Sequence, residues 1–218
     1  MLSVQASSHQ GDQRFFGSGR QCTAMSYCAM LYTKLKHPSS WCSGDLDEIR
    51  LKGDTLYKEL SADCYLLVSQ LPVKYEGYIF RTDKSLGCVV GRQVTESSFL
   101  TLYNALKEID KLAFFTVGCY TMSIMYCNVN SNYKVFDSHR RNECGMSYPE
   151  GFATMTTHKN LEDICTFIQH LCATLFAKKD DKMFAVTCVT FHEDTDSEAS
   201  LSFDGFSEVS ISSGEEAC

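Results

Sequence analysis

The chain has 218 residues, 44% of them hydrophobic, which suits one compact domain and is far from the composition of a disordered protein. Its formal charge of −7 is concentrated at the C-terminal end, where eight of the 27 acids lie between Glu193 and Cys218 in a stretch without Lys or Arg. Setting those eight aside leaves 19 acids against 20 bases, so the body is near neutral and offers no electrostatic basis for nucleic-acid binding.

No run approaches the roughly 20 apolar residues of a membrane span, and the polar N-terminus has no signal-peptide pattern. The chain is therefore expected to be soluble, without a membrane partner, in the cytoplasm or nucleus. Residues 1–19 are polar and end in the turn Gly17-Ser-Gly19. From Gln21 to Lys36, Met25, Cys28, Ala29, Leu31, Tyr32 and Leu35 recur at i, i+3, i+4 spacing. That predicts a helix with one broad apolar face, stopped before Pro38. Asp45–Leu60 predicts a second helix with acids at its front and a weak point or break at Gly53. Ser97–Ile109 predicts a third, capped by Ser97 or Ser98.

The period then changes. Lys111–Val117, Thr121–Asn128 and Asn132–His139 are short β-branched and aromatic runs separated by turn residues, Gly118 in the first gap and Asn128 to Asn132 in the second. They predict an antiparallel meander. Gly151–Thr157 predicts another strand, Leu161–Phe176 a helix and Lys182–Phe191 a last strand. The order predicts an α+β domain with its helices on one side of a mostly antiparallel sheet. The domain is expected over residues 1–192. The acidic, Ser-rich segment 193–218 reads as a disordered tail or linker. Within it, Val209-Ser-Ile211 is read as part of a solvated tail rather than as a modifier-binding strand.

Twelve cysteines raise the question of disulfides or zinc, but no CxxC occurs. Cys144 and His158 lack a second paired spacing, so no metal or cofactor is expected. Cys28, Cys64, Cys119, Cys127, Cys165, Cys172 and Cys188 sit in apolar segments and are expected to be reduced, buried small hydrophobes.

Cys22 has a different setting. It follows the glycine turn and opens a helix, where unpaired N–H groups and the helix dipole favour a thiolate, with the sulfur expected to be exposed above the turn. Asp137 and His139 stand at i, i+2 on a strand, so their side chains share a face and the carboxylate can fix the imidazole's tautomer. Gln10, in the polar segment twelve residues before Cys22, can place a side-chain amide opposite the nucleophile as an oxyanion donor. His9, His37, His158, His170 and His192 lack a carboxylate at that spacing and read as surface or core residues.

Taken together, Ala6-Ser-Ser-His-Gln10-Gly-Asp12, Gly19-Arg-Gln21-Cys22-Thr23 and Phe136-Asp137-Ser138-His139 resemble the deubiquitinase domain of herpesvirus large tegument proteins. The resemblance covers most of residues 3–191 in order and spacing and rests on these motifs, which a non-viral relative could also carry. It implies a papain-like cysteine protease that cleaves after the C-terminal glycine of ubiquitin and, for a viral member, a place in the virion tegument. It further implies Cys22 as nucleophile, His139 as general base and acid, Asp137 as orienting group and Gln10 as oxyanion donor. Ubiquitin or its chains would be the partner, the chain acting as a monomer or as part of a longer polypeptide. Gly19–Gln21 and His139–Cys144 are candidates for the slot that takes the substrate's end, and Trp41 and Tyr75–Phe80 for aromatic contacts or core. Rival readings are a protease for a ubiquitin-like modifier or peptide, a non-catalytic ubiquitin-binding module, and a metal or redox protein.

Overall fold

The computed structural model describes residues 2–60, 63–89, 101–176 and 183–195. Strand β1 (Leu2–Gln5) leads to helices α1 (Cys22–Tyr32) and α2 (Ser43–Glu59). The short β2 (Lys74–Tyr75), the long β3 (Tyr78–Val89) and α3 (Leu102–Lys107) follow. The second half holds β4 (Leu112–Val117), β5 (Tyr120–Cys127), β6 (Asn132–Arg141), β7 (Phe152–His158), α4 (Leu161–Leu175) and β8 (Met183–Glu193). All eight strands join one sheet in the order β1-β7-β6-β5-β4-β8-β3-β2, and every pairing is antiparallel.

Period-2 alternation along the central strands feeds two apolar layers. Phe114, Met125, Phe136 and Met155 point to the side of α1 and α2, whereas Ala113, Phe115, Ile124, Val135 and Val186 point to α3 and α4. The expected meander β4-β5-β6 is therefore present, and the N-terminal helices do pack on the antiparallel sheet. The one-sided arrangement is corrected, because both faces of the sheet are covered. Each large side chain withdrawn from water in these layers contributes about 1.5–3 kcal/mol before the entropic cost of ordering it.

Helix α1 was expected to bury one face and is buried all round. Its polar positions survive there because they are paired. Thr23 Oγ1 donates to the Leu66 carbonyl (2.8 Å) and Ser26 Oγ to the Thr121 carbonyl (3.3 Å). Helix α2 begins with a reciprocal cap in which the Cys42 backbone N–H donates to Asp45 Oδ2 (2.6 Å). Gly53 does not break it. A Cβ there would stand 2.6 Å from Met25 Cα, so this glycine is the place where the backbones of α1 and α2 come closest. Helix α3 is shorter than expected and is capped by Thr101, whose Oγ1 accepts from Asn104 N (3.3 Å); Ser97 and Ser98 lie outside the described residues.

Two strands carry too little apolar pattern to announce them, β1 having only Leu2 and Val4. β1 comes from the polar N-terminal segment, and β3 is exposed from Arg81 to Lys84 yet pairs with β8 along its whole length. Backbone ladders, not buried side chains, define them. At the far end, β8 runs through Glu193 and Asp194 N donates to the Gly77 carbonyl (2.8 Å). The rest of the expected tail, from residue 196, lies outside the described residues. Among the described residues no helix is long and apolar enough to cross a membrane.

Candidate active site

Cys22 is the first residue of α1, and the chain reaches it through a loop tied to its neighbours. The Gln21 side chain is buried and donates from Nε2 to the Gln10 carbonyl (3.2 Å) and to Asp54 Oδ1 of α2 (3.2 Å). Asp54 also accepts from the backbone of Phe16 and Gly17 (3.1 and 3.2 Å). Gly19 N donates to the Gln10 carbonyl (3.0 Å), so the loop carrying Gln10 and the start of α1 form one unit.

The opposite wall is β6. The β6–β7 register holds to Asp137↔Thr154 and resumes at Arg141↔Phe152, leaving two extra residues on β6 between them. Such a bulge bends a strand and re-aims its side chains. The freed carbonyl of Ser138 accepts instead from Gln10 N (2.8 Å), and Ser138 Oγ donates to Gln10 Oε1 (3.2 Å). The bulge thus docks the Gln10 loop onto the strand that carries His139.

Asp137 and His139 meet as their spacing predicts: Nδ1 of the ring lies 2.6 Å from Asp137 Oδ1, which also accepts the His139 backbone N–H (3.0 Å). The Cys22 thiol and the His139 imidazole are close enough to shift each other's proton affinity, and Asp137 occupies the ring's Nδ1, leaving Nε2 as the nitrogen free to meet the sulfur. The Tyr120 ring packs against the imidazole with centroids 4.8 Å apart.

The charges reinforce one another. Burial alone would push the Asp137 carboxyl up, but Arg141 and His139 outweigh it and hold the group well below the usual carboxylate range. Burial alone would lower the His139 imidazole, yet the Asp137 charge and hydrogen bond raise it to about 9. Burial would also raise the Cys22 thiol; the hydrogen bond and charge of His139 win, and the thiol falls below its ordinary value. By contrast, burial pushes Cys28, Cys127, Cys165, Cys172 and Cys188 up, as expected of inert core thiols.

Two expectations are corrected, and one left open is decided. The Cys22 sulfur is not exposed above the turn: the residue is 1% exposed, and Sγ lies 3.6 Å from the Cys119 carbonyl. That carbonyl sits at the tip of the β4–β5 hairpin, where Gly118 takes a φ of 59° at the first turn position. Cys64 and Cys119 are exposed rather than buried, because both lie in turns beside the site. Trp41 is core, its ring edge-on to Tyr32 at 5.5 Å, and Phe80 is likewise buried against Tyr27.

Gln10 and His139 border a cavity of about 350 Å³. Gly19, Arg140 and Arg141 line it too, so part of each predicted slot segment is present, while Gln21 is buried behind it. Tyr65 and Tyr148, 50% and 48% exposed, are aromatics on its wall that the sequence did not single out. The most consequential omission is Arg141, whose Nε donates to Asp137 Oδ2 (2.7 Å). It stands at i+4 from Asp137 on the same strand, so the period that paired Asp137 with His139 was the signal for it. Gln21 and Asp54 had no such signal. Among the described residues no group of three or more His, Cys, Asp or Glu side chains is placed to hold a metal ion.

A cysteine opening a helix, set against a His–Asp pair on an antiparallel sheet, is the layout of the papain-like fold. One of six solved chains that match this one is the ubiquitin-specific protease encoded by a murine cytomegalovirus tegument protein, in complex with a ubiquitin-based suicide substrate. It superposes with a TM-score of 0.71 over 88% of this chain and 87% of that one, at 17% sequence identity. Curated protein sequences give no match. The family model of the herpesvirus tegument protein N-terminal conserved region matches residues 5–194, and the chain belongs to that family.

Proposed function

We propose that the chain is a deubiquitinating cysteine protease, with Cys22 as nucleophile, His139 as base and acid, Asp137 as orienting group and Gln10 as oxyanion donor. The observation that carries this reading is the Asp137–His139 pair, 2.6 Å apart and electrostatically coupled to the buried Cys22 thiol, beside the cavity that Gln10 borders. The solved relative's complex with a ubiquitin-based suicide substrate supports ubiquitin as the partner.

In this mechanism the Cys22 thiolate adds to the carbonyl carbon of ubiquitin's C-terminal glycine while His139 is an imidazolium. Negative charge moves to the carbonyl oxygen, which the Cys22 backbone N–H and the Gln10 amide receive. Ser138 fixes the Gln10 oxygen, and Nε2 donates one N–H to the Gly19 carbonyl (3.4 Å), which leaves its second N–H for the oxyanion. As the C–N bond breaks, His139 gives its proton to the departing lysine amine and a thioester remains. Water then attacks the thioester, His139 takes its proton, and the ubiquitin carboxylate leaves with the thiolate restored. All of these groups come from one chain, so a monomer suffices. Family membership supports a place in the virion tegument, and we infer the cytoplasm or nucleus as its site of action. The protease, expected over residues 1–192, would extend through Glu193 and Asp194, with the acidic segment that follows as a tail.

The test is hydrolysis of a fluorogenic C-terminal amide of ubiquitin, run beside the same amides of ubiquitin-like modifiers. The reading expects turnover of the ubiquitin amide that Cys22→Ala abolishes. Turnover of another modifier alone favours the rival protease reading, and binding of ubiquitin without turnover favours the non-catalytic one.

A further inference from the structure

Beyond His139 the cavity has a cationic border. Arg140 lines it with His9, Tyr148 and Pro149, and the bulge in β6 lets this residue reach the same cleft as its neighbour His139. Its guanidinium is anchored by Nη1, which donates to the Pro149 carbonyl (3.2 Å), and packs beside the His9 ring, whose Nδ1 accepts from Gly11 N (2.9 Å). Tyr148 N in turn donates to the Arg140 carbonyl (3.2 Å), tying the 147–149 loop to this part of β6. Among the described residues no carboxylate pairs with Arg140, and no acid lines the cavity. Arg141, by contrast, is engaged with Asp137 and serves the site from behind.

The leaving amine must be within reach of His139 when it takes its proton, so the space beyond His139 that Arg140 borders is taken as the departing protein's side, and of the two expected slot segments only the Gly19 side of the cavity is kept for ubiquitin's end. A fixed, solvent-facing guanidinium there is matched by a carboxylate. We propose that Arg140 forms a leaving-group subsite that favours acceptor proteins carrying Asp or Glu beside the modified lysine. This inference rests on the deubiquitinase reading and adds the substrate preference of its acceptor side. Its neighbours on the cavity wall, His9 from the N-terminal loop and Tyr148 from the 147–149 loop, include no acid.

The experiment uses ubiquitin joined through its C-terminal glycine to the lysine of short peptides in which Glu, Ala or Lys flanks that lysine. In the parent, kcat/KM for the Glu peptide should exceed that for the Ala peptide by about two- to fivefold, the range of an exposed ion pair. The Lys peptide should be poorest. Within Arg140→Gln the Glu-to-Ala ratio should fall to about one, and within Arg140→Glu the order should reverse, because each ratio cancels any change in overall activity. A parent that treats the three peptides alike, or an Arg140→Glu variant that still prefers Glu, overturns the subsite. A parent that cleaves none of them and no ubiquitin amide brings down the deubiquitinase reading, and the subsite with it.

Discussion

Arg141 Nε donates to Asp137 Oδ2 at 2.7 Å, while the other oxygen of that carboxylate faces His139 at 2.6 Å. Asp137 is buried and Arg141 is only 1% exposed, so neither charge has water to fall back on. The Arg141→Ala change leaves a buried carboxylate short of its strongest partner. Removing one member of a buried pair costs about 3–5 kcal/mol, and a small misplacement of His139 costs about 10²-fold in rate. We expect both losses, read as a lower urea midpoint and a lower kcat/KM on the ubiquitin amide. Arg141→Lys should recover little, since an ammonium cannot reproduce the fork of donors.

The raised His139 and lowered Cys22 set the pH dependence. In the proposed mechanism activity needs the thiolate and the imidazolium together, so it should fail on the acid side as Cys22 gains a proton. On the alkaline side it fails as His139 loses one, near its value of about 9. Asp137 is what lifts the imidazole against burial. In Asp137→Asn the alkaline limb of kcat/KM should therefore move to lower pH, together with a lower maximum. An unchanged limb would mean that Asp137 does not charge the ring.

Gln10 is predicted to act only as charge develops on the carbonyl oxygen. Gln10→Ala should lower kcat by about 10²- to 10³-fold with little change in KM, in steady-state kinetics on the same amide. Gln10→Glu should be no better, because it replaces the donor with an acceptor.

The contact of Gly53 with Met25 makes a prediction about stability. In an open helix Ala is favoured over Gly by about 1 kcal/mol. Here a Cβ would meet the Met25 backbone at 2.6 Å, so α1 and α2 must separate. Gly53→Ala should lose about 1–3 kcal/mol by urea denaturation, as overpacking does. The shift of α1 should also reduce activity, because Cys22 opens that helix.

Gly53 also shows where sequence reading reaches its limit. Its helix was legible from the acids and apolar spacing of Asp45–Leu60, but the reason for the glycine lies on another helix, 28 positions away in Met25. The same holds at the site. Asp137 and His139 are joined by strand period alone, and Cys22 by its place at a helix start after glycines, so these were readable. Gln21, Asp54 and Ser138 support the site through partners distant in sequence, and nothing local marks them. The strands β1 and β3 were illegible for a related reason: their side chains are mostly exposed, and only the backbone ladder identifies them.

The central claim is that the Cys22 sulfur, activated by His139, is the atom that takes ubiquitin's terminal carbonyl. Reacting the protein with a ubiquitin probe bearing a C-terminal electrophile, then mapping the adduct by peptide mass spectrometry, tests it most directly. The account predicts one ubiquitin per chain, attached at Cys22, with capture lost in Cys22→Ala and strongly slowed in His139→Ala. An adduct on exposed Cys64, Cys119 or Cys144 that persists in Cys22→Ala would contradict it.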